Sequence, residues 1–389
     1  SEKESEKDDS RFWRSLAATC LPASIREVGA GTAAPVATAV PKSLVIPLGF
    51  VSRDTAGSPV DWLPVGGGGS PHGAIMGGVG SGKTRNAVFM LKKLREQSEV
   101  PLIAFDFKGD MTDASNLLDR AFDARVVAPP EVPVPLDVLA LSSRSETDIK
   151  LASQRLRDTL ATLKGGGFGP TQKGLLADAA ERALRDHDPC RLDDVRRALH
   201  AVYDAQGRSP DGASTTMDDL CRFDLFSPYL GPDQFFTKSW IVRLSQKLPE
   251  LVRVAVVTLI TDALDRWLNS QPDAPVDVHG NRALRVVALL DEAHRILGTR
   301  LPGLSNLIRL SRSKGGMVWL ISQSPEDFEG EDEDFLNEMG LVMAFATNAK
   351  PGATRRIFGE HAKLANLELG EAWVKLRGQP ARRVRIWSP

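Results

Sequence analysis

A glycine-rich segment at residues 77–84 has the spacing in this chain that is best suited to chemistry. It reads GGVGSGKT and fits the pattern G-x-x-x-x-G-K-[ST]. A short apolar run at residues 74–76 precedes it, and a helical pattern from about Lys83 to Gln97 follows it. Glycines allow backbone N–H groups to wrap around phosphate oxygens, and the N-terminus of the following helix adds partial positive charge. The segment therefore predicts a phosphate-binding loop (P-loop) between a strand and a helix.

Two side chains of this loop have separate predicted tasks. Lys83 would reach the β- and γ-phosphates of ATP, and Thr84 would be a ligand of Mg²⁺. A chance match in a glycine-rich loop is the alternative, and the flanking strand and helix argue against it. The residues predicted to contact the nucleotide are Gly77, Gly78, Val79, Gly80, Ser81, Gly82, Lys83, Thr84 and Arg85.

Two adjacent carboxylates, Asp291 and Glu292, come at the end of an apolar run that begins at residue 286. Open α/β sheets bind ligands at the carboxyl ends of their strands. We expect Asp291 to hold Mg²⁺ through water and Glu292 to orient or deprotonate the attacking water. With Lys83, these residues predict an ATPase that converts ATP and water to ADP and phosphate.

Two further polar residues are candidates for catalysis. Gln323 follows a buried-strand pattern and could sense the γ-phosphate; the alternative is an ordinary surface glutamine. Arg312 lies eleven residues earlier, in a helical pattern at residues 304–314. It could act as an arginine finger on the ATP of a neighbouring subunit, or it could be a solvated helix arginine.

The elements that must position these residues alternate between strand and helix, which predicts an α/β fold with a mostly parallel sheet flanked by helices. We divide the chain into a charged tail and linker (1–43), the first part of the ATPase core (44–141), a helical insertion (142–236) and the second part of the core (237–389). Because the first residue is serine rather than methionine, we expect a processed chain or a fragment of a larger protein.

Composition restricts the class of partner. The net charge of the 389 residues is −1, so a DNA contact needs a local basic patch or a pore built by several subunits. The three cysteines have no metal-site spacing, which is typical of a reducing cytosol. No apolar run reaches membrane-spanning length and no signal peptide is visible, so we expect a cytoplasmic protein with no membrane partner.

Six short motifs follow one another along the chain: SPHGAIMG at 70–77, FDFKGD at 105–110, VPLDVL at 134–139, SRSKGG at 311–316, ISQSP at 321–325 and LGEA at 369–372. Taken in this order, they resemble the motifs of FtsK/HerA-type DNA-pumping ATPases. The resemblance runs from about Leu44 to the C-terminus. Within that superfamily the sequence looks most similar to HerA-like ATPase domains of bacterial DNA-defence proteins, such as the phosphorothioation-dependent restriction protein DptH.

The resemblance implies a RecA-like fold and a hexameric ring around duplex DNA. It also implies that Gln323 couples hydrolysis to movement and that Arg312 acts on a neighbouring subunit. Other subunits of a defence or DNA-processing complex would be further partners. The expected function is therefore a DNA translocase or helicase-like motor whose ATPase activity DNA stimulates.

Departures from the family pattern keep two alternatives open. Ser324 stands where an arginine is common, and residues 326–334 are acidic where a loop that follows DNA would be basic. Neither a HerA-type N-terminal barrel nor an FtsK-type winged helix is apparent. One alternative is a coupling or secretion ATPase that moves protein or protein-bound DNA. The other is a scaffold whose assembly is controlled by ATP binding.

Overall fold

A computed structural model describes residues 40–52, 57–66, 69–163, 167–298, 301–328 and 335–386. Almost all of the tail and linker predicted for residues 1–43 lies outside these ranges. Within them, two compact units are distinguished by their internal contacts. The core unit comprises residues 38–126, 238–246 and 264–389, and the helical unit comprises residues 127–237 and 247–263.

The strands of the described residues are β1 Ile46–Val51, β2 Pro59–Trp62, β3 Gly73–Met76, β4 Leu102–Asp106, β5 Arg125–Val127, β6 Val134–Leu136, β7 Phe226–Leu230, β8 Trp240–Arg243, β9 Val286–Leu290, β10 Gly316–Ser322, β11 Leu341–Ala344, β12 Glu371–Leu376 and β13 Arg382–Ile386.

The α-helices of the same residues are α1 Lys83–Gln97, α2 Leu118–Phe122, α3 Glu146–Thr162, α4 Pro170–Asp186, α5 Leu192–Ala205, α6 Gly212–Cys221, α7 Pro232–Phe236, α8 Glu250–Ser270, α9 His294–Leu297, α10 Pro302–Leu310 and α11 Pro351–Phe358. In the described part of the chain, no helix combines the length and the apolar character needed to cross a membrane.

One large sheet organises the core unit. Among the described residues it has eleven strands in the order β2-β1-β13-β12-β11-β3-β10-β9-β4-β8-β5. The central strands, from β11 through β3, β10, β9 and β4 to β8, are parallel. The strands from β11 outward to β2 pair antiparallel. The predicted α/β class with a mostly parallel central sheet is confirmed.

The central strands are apolar along their whole length because both faces of the sheet are covered. Every residue of β3, β4, β9, β10 and β11 is buried. Helix α1 follows β3 after residues 77–82 and places Leu91 and Leu94 in the same apolar cluster as Ile75 of β3 and Leu289 of β9. This packing fixes the start of α1 at the carboxyl end of β3.

The segment that carries Arg312 differs from its prediction. The helix α10 ends at Leu310, and residues Ser311–Lys314 form a short 3₁₀ helix instead of continuing it. Gly315 then turns the chain into β10 with φ of 81°, a left-handed value that favours glycine. A Cβ at Gly315 would lie 2.7 Å from the carbonyl oxygen of Ala283. The turn therefore needs glycine, and it ends the helical segment at Lys314.

The helical unit contains α3 to α7 and the first part of α8, up to Ala263. Among the described residues this unit covers 127–237 and 247–263, whereas the predicted insertion covers 142–236. A parallel pair of strands, β6 and β7, was not predicted. Serine and aspartate residues begin two of its helices: the side chain of Ser145 accepts from the Asp148 amide at α3, and Asp211 accepts from the Ala213 amide at α6.

Candidate active site

The P-loop joins β3 to α1, and its shape depends on glycine. Gly80 has φ of 76° and Gly82 has φ of 88°, both in the left-handed region. The amide of Gly78 donates to the carbonyl oxygen of Ala346 at 2.8 Å. A Cβ at Gly77 would collide with the hydroxyl of Ser81. Larger residues would therefore push the loop away from the strand ends on which it rests.

Lys83 is the first residue of α1 and its side chain is buried. Its ammonium Nζ lies 3.4 Å from the carbonyl oxygen of Gly78, so the side chain folds back along the loop. Burial lowers the pKa of Lys83, and the nearby charge of Lys108 lowers it further. Val79 and Arg85, also predicted to contact the nucleotide, have exposed side chains. The loop therefore combines one buried cation with an accessible rim.

Asp291 follows β9, at the same edge of the sheet as the P-loop. Its side chain is fully buried, and neither carboxylate oxygen has a hydrogen-bond partner among the described residues. Burial raises the pKa of Asp291 to about 7, with smaller contributions from the charges of Glu292 and Asp110, while Lys108 opposes the rise. A buried carboxylate with both oxygens unpaired is costly unless a ligand completes it.

Asp106 and Asp110 lie beside Asp291; both belong to the FDFKGD segment at 105–110, but neither was predicted to be a site residue. One carboxylate oxygen from each of the three residues lies within 4.8 Å of the others. Asp106 also accepts from the Gly109 amide at 2.6 Å, which orders the loop after β4. Carboxylate oxygens are the ligands that Mg²⁺ prefers, so the cluster together with the unpaired Asp291 fits a divalent cation. Asp106 ends a strand next to β9, and that position was the signal that could have identified it.

Glu292 has contacts with three side chains of the core unit. Its Oε1 forms an ion pair with the ammonium of Lys108. Its Oε2 accepts from Gln323 Nε2 at 3.2 Å and lies 3.6 Å from His294 Nε2. Burial alone would raise the pKa of Glu292, but the pairing with Lys108 outweighs it and lowers the pKa below the usual value. The structure thus places Gln323 beside Glu292 and adds Lys108, which was not predicted to be a site residue.

The turn that carries Gln323 is held by Asp327. One oxygen of that carboxylate accepts from the amides of Gln323 at 3.0 Å and Ser324 at 2.9 Å, and from the hydroxyl of Ser322 at 2.6 Å. Asp327 belongs to the acidic stretch noted in the sequence, of which residues 329–334 lie outside the described ranges. Part of that stretch therefore orders the Gln323 turn.

Arg312 lies at the other end of the central strands. It precedes β10, whereas the P-loop follows β3, which runs parallel to β10 with Met76 opposite Ser322. Burial lowers the pKa of Arg312, as do the charges of Arg377 and Arg282. Among the described residues Arg312 has no carboxylate partner. The structure therefore does not bring Arg312 to the P-loop of its own chain.

His72 has a structural position at that same end of the strands. Its Nδ1 accepts from the Val318 amide at 3.0 Å, and its ring is almost fully buried. Burial lowers its pKa to about 3, helped by the charges of Arg312 and Arg377. His72 is therefore neutral at ordinary pH and links the start of β3 to β10.

Comparison with known proteins gives matches at the level of fold. No protein-family model matches the sequence, and no curated protein matches it. VirB4 of Thermoanaerobacter pseudethanolicus is 16% identical with a TM-score of 0.67, over 90% of this chain and 98% of that one. The plasmid coupling protein TrwB with a non-hydrolysable ATP analogue is 13% identical with a TM-score of 0.58, over 90% and 96%. TrwB with ADP and Mg²⁺ is 13% identical with a TM-score of 0.55, over 92% and 97%.

The predicted RecA-like fold is confirmed. At these identities the likeness extends to the fold and not to the activity. The geometry of the site itself, with Lys83, Asp291 and Glu292 at one edge of the sheet, has to support any assignment of chemistry.

Proposed function

We propose that the chain binds ATP with Mg²⁺ and hydrolyses it to ADP and phosphate. One observation carries the proposal: a phosphate-binding loop, an unpaired buried aspartate and a glutamate in contact with Gln323 meet at the carboxyl ends of neighbouring parallel strands. TrwB, which has the same fold, was solved with an ATP analogue and with ADP and Mg²⁺, which supports this choice of ligands.

Each side chain then has a definite task. Lys83 and the amides of the P-loop bind the phosphates, and Arg85 forms part of the rim. Thr84 and Asp291 hold Mg²⁺, which when bound neutralises phosphate charge. Glu292 orients the attacking water and accepts its proton, and Gln323 fixes the orientation of Glu292. Because the phosphoryl group is transferred to water, positioning and charge stabilisation do most of the catalysis.

A cavity of about 810 Å³ in the core unit supports the choice of a nucleotide as ligand. It is lined by apolar side chains such as Leu364 and Pro351 and by polar ones such as Thr347 and Asn366. Thr347 follows directly on Ala346, whose carbonyl oxygen accepts from the P-loop amide of Gly78. A nucleoside needs such a mixed apolar and polar cavity next to its phosphates. We assign the cavity to the base and ribose.

We further propose that this ATPase is the motor domain of a larger cytoplasmic DNA-processing or DNA-defence protein, that it forms a hexameric ring, and that duplex DNA stimulates it. The order of the FtsK/HerA-like motifs supports this reading. The likeness in fold to TrwB, a bacterial conjugative coupling protein, favours a second candidate, a coupling ATPase that moves protein or protein-bound DNA. A nucleotide-gated scaffold is the third.

The ATPase rate with and without duplex DNA, measured together with the oligomer mass, separates a DNA-driven motor from the scaffold. If the chain is a DNA motor, we expect its ATP turnover to rise when DNA is added and its oligomer to have the mass of six chains. Turnover without DNA stimulation would reject the DNA motor and leave an ATPase that moves protein or a scaffold whose turnover is incidental. Binding of ATP with no turnover would leave the scaffold. A chain that binds no ATP would refute the nucleotide site.

Glu292→Gln is expected to bind ATP but to hydrolyse it about 10²–10⁴-fold more slowly, because the amide fills the same volume and cannot accept a proton. Steady-state turnover and equilibrium binding of a non-hydrolysable analogue measure the two effects. Glu99→Gln, on an exposed residue away from the site, is the matched control. Loss of ATP affinity in Glu292→Gln would instead make Glu292 a metal ligand or a structural residue.

The helical unit is expected to make no essential contact with the nucleotide. All of the proposed site residues belong to the core unit, and residues 142–236 contain no phosphate-binding or paired-carboxylate pattern. A crystal structure with an ATP analogue and Mg²⁺ checks this. Base or phosphate contacts made mainly by residues 142–236 would contradict it.

A further inference from the structure

Lys108 reaches the proposed catalytic base from a neighbouring strand. It follows β4 by two residues, and β4 pairs with β9, which leads into Glu292. The ammonium of Lys108 forms an ion pair with Glu292 Oε1. The Lys108 side chain is 35% exposed, whereas that of Glu292 is 4% exposed. The lysine thus approaches a buried carboxylate from the accessible side of the site.

Each carboxylate oxygen of Glu292 lies against one donor group. Lys108 occupies Oε1, and Gln323 Nε2 donates to Oε2. Glu292 also has φ of 51°, a left-handed value that is uncommon for residues other than glycine. Such a backbone conformation persists when surrounding contacts hold it. A water that donates to Glu292 has to compete with Lys108 and Gln323 for the same two oxygens, and release of Lys108 would make Oε1 more accessible.

The same ammonium lies within electrostatic range of the phosphate-binding lysine. The charge of Lys108 acts on Lys83, and Asp291 and Asp110 act on Lys108. Lys108 is therefore close enough to the carboxylates and to the P-loop lysine for their charges to interact. An ammonium on a flexible four-carbon side chain can change partners over a few ångströms.

We propose that Lys108 is a positioning residue that pairs with Glu292 in the absence of ATP and exchanges this carboxylate for the terminal phosphate when ATP binds. The proposal rests on the proposed ATPase function and deepens it. The γ-phosphate carries more negative charge than a carboxylate and competes for the ammonium. ADP has no such group, so the pair with Glu292 persists. Lys108 thereby makes the availability of the base depend on which nucleotide is bound.

The test compares affinities for a non-hydrolysable ATP analogue and for ADP, both with Mg²⁺. Lys108→Ala is expected to weaken binding of the analogue about 10- to 100-fold, the range for a hydrogen bond to a charged group, and to leave ADP affinity unchanged. Lys108→Arg keeps the charge and should retain most of the preference for the analogue. Lys42→Ala, on an exposed lysine away from the site, is the control.

A double-mutant cycle with Glu292→Gln tests the exchange itself. Removal of the competing carboxylate should tighten binding of the ATP analogue, and this gain should disappear when Lys108→Ala is added. Equal losses for the analogue and for ADP, or a gain that persists in the double variant, would overturn the proposal and make Lys108 a structural partner of Glu292. A wild-type chain that binds neither nucleotide would refute the nucleotide site and this proposal with it. Unchanged thermal melting of each variant establishes that it is folded.

Discussion

Lys83→Ala is expected to reduce ATP turnover to the background of the assay while leaving the chain folded. The Lys83 ammonium is the one cation of the P-loop that is buried, and it lies along the loop at 3.4 Å from the Gly78 carbonyl oxygen. Its removal takes away the charge that binds the β- and γ-phosphates. It also removes a buried ammonium that is costly to desolvate, so the free energy of unfolding should change little.

Steady-state phosphate release by the purified variant measures the effect, and thermal melting establishes that the fold is retained. Lys42→Ala is the control for the loss of a lysine as such. Turnover near the wild-type rate in a folded Lys83→Ala variant would remove the P-loop from the proposed mechanism. The whole nucleotide assignment would then have to be abandoned.

The parts of this site that the sequence predicted are local in the chain. The glycine spacing of residues 77–84 determines a loop between a strand and a helix without help from distant residues. The run just before Asp291 could be identified as a buried strand because all of its residues are apolar. Gln323 could be identified in the same way, because it comes immediately after the buried strand β10.

The contacts that were missed join segments far apart in sequence. The pairing of Lys108 with Glu292 requires β4 to lie beside β9, and the helical unit separates those strands in the chain. Strand order in a parallel sheet depends on the crossovers and not on any local pattern. The same reason hid the pairing of β6 with β7, which are only three and five residues long and both contain proline.

The end of the helix before Arg312 also differs between prediction and structure, and this difference determines how Arg312 is placed. The apolar spacing predicted one helix through residue 314, but Gly315 and the buried turn around it convert the last residues to a 3₁₀ helix. The boundary depends on the close approach of the Ala283 carbonyl, which no local pattern reveals. Arg312 is consequently presented from a turn, in a group with Arg282 and Arg377.

Arg312→Ala is expected to lower turnover by about 10³–10⁵-fold in the homo-oligomer, the effect of losing an arginine finger, and to retain ATP binding. Within one chain Arg312 lies before Gly316, the first residue of β10. Ser322, six residues after Gly316, is the residue opposite Met76 at the end of β3. At 3.3 Å per residue that is about 20 Å along the strand, too far for the side chain to reach its own P-loop. Its like-charged neighbours and its lack of a carboxylate partner among the described residues leave it available to an anion of another subunit.

Mixing Arg312→Ala subunits with Lys83→Ala subunits tests whether Arg312 acts on the ATP bound to a neighbouring subunit. An Arg312→Ala subunit has an intact P-loop, and a Lys83→Ala neighbour still supplies the arginine, so mixed oligomers should recover part of the activity. Subunit exchange has to be verified first, for example by mass measurement of differently tagged chains. Verified mixed oligomers that stay inactive would contradict the role of Arg312 on a neighbouring subunit. Normal hydrolysis by Arg312→Ala alone at every protein concentration would make Arg312 a solvated residue or a DNA contact, and the ring motor would then depend on Gln323 and the motif order.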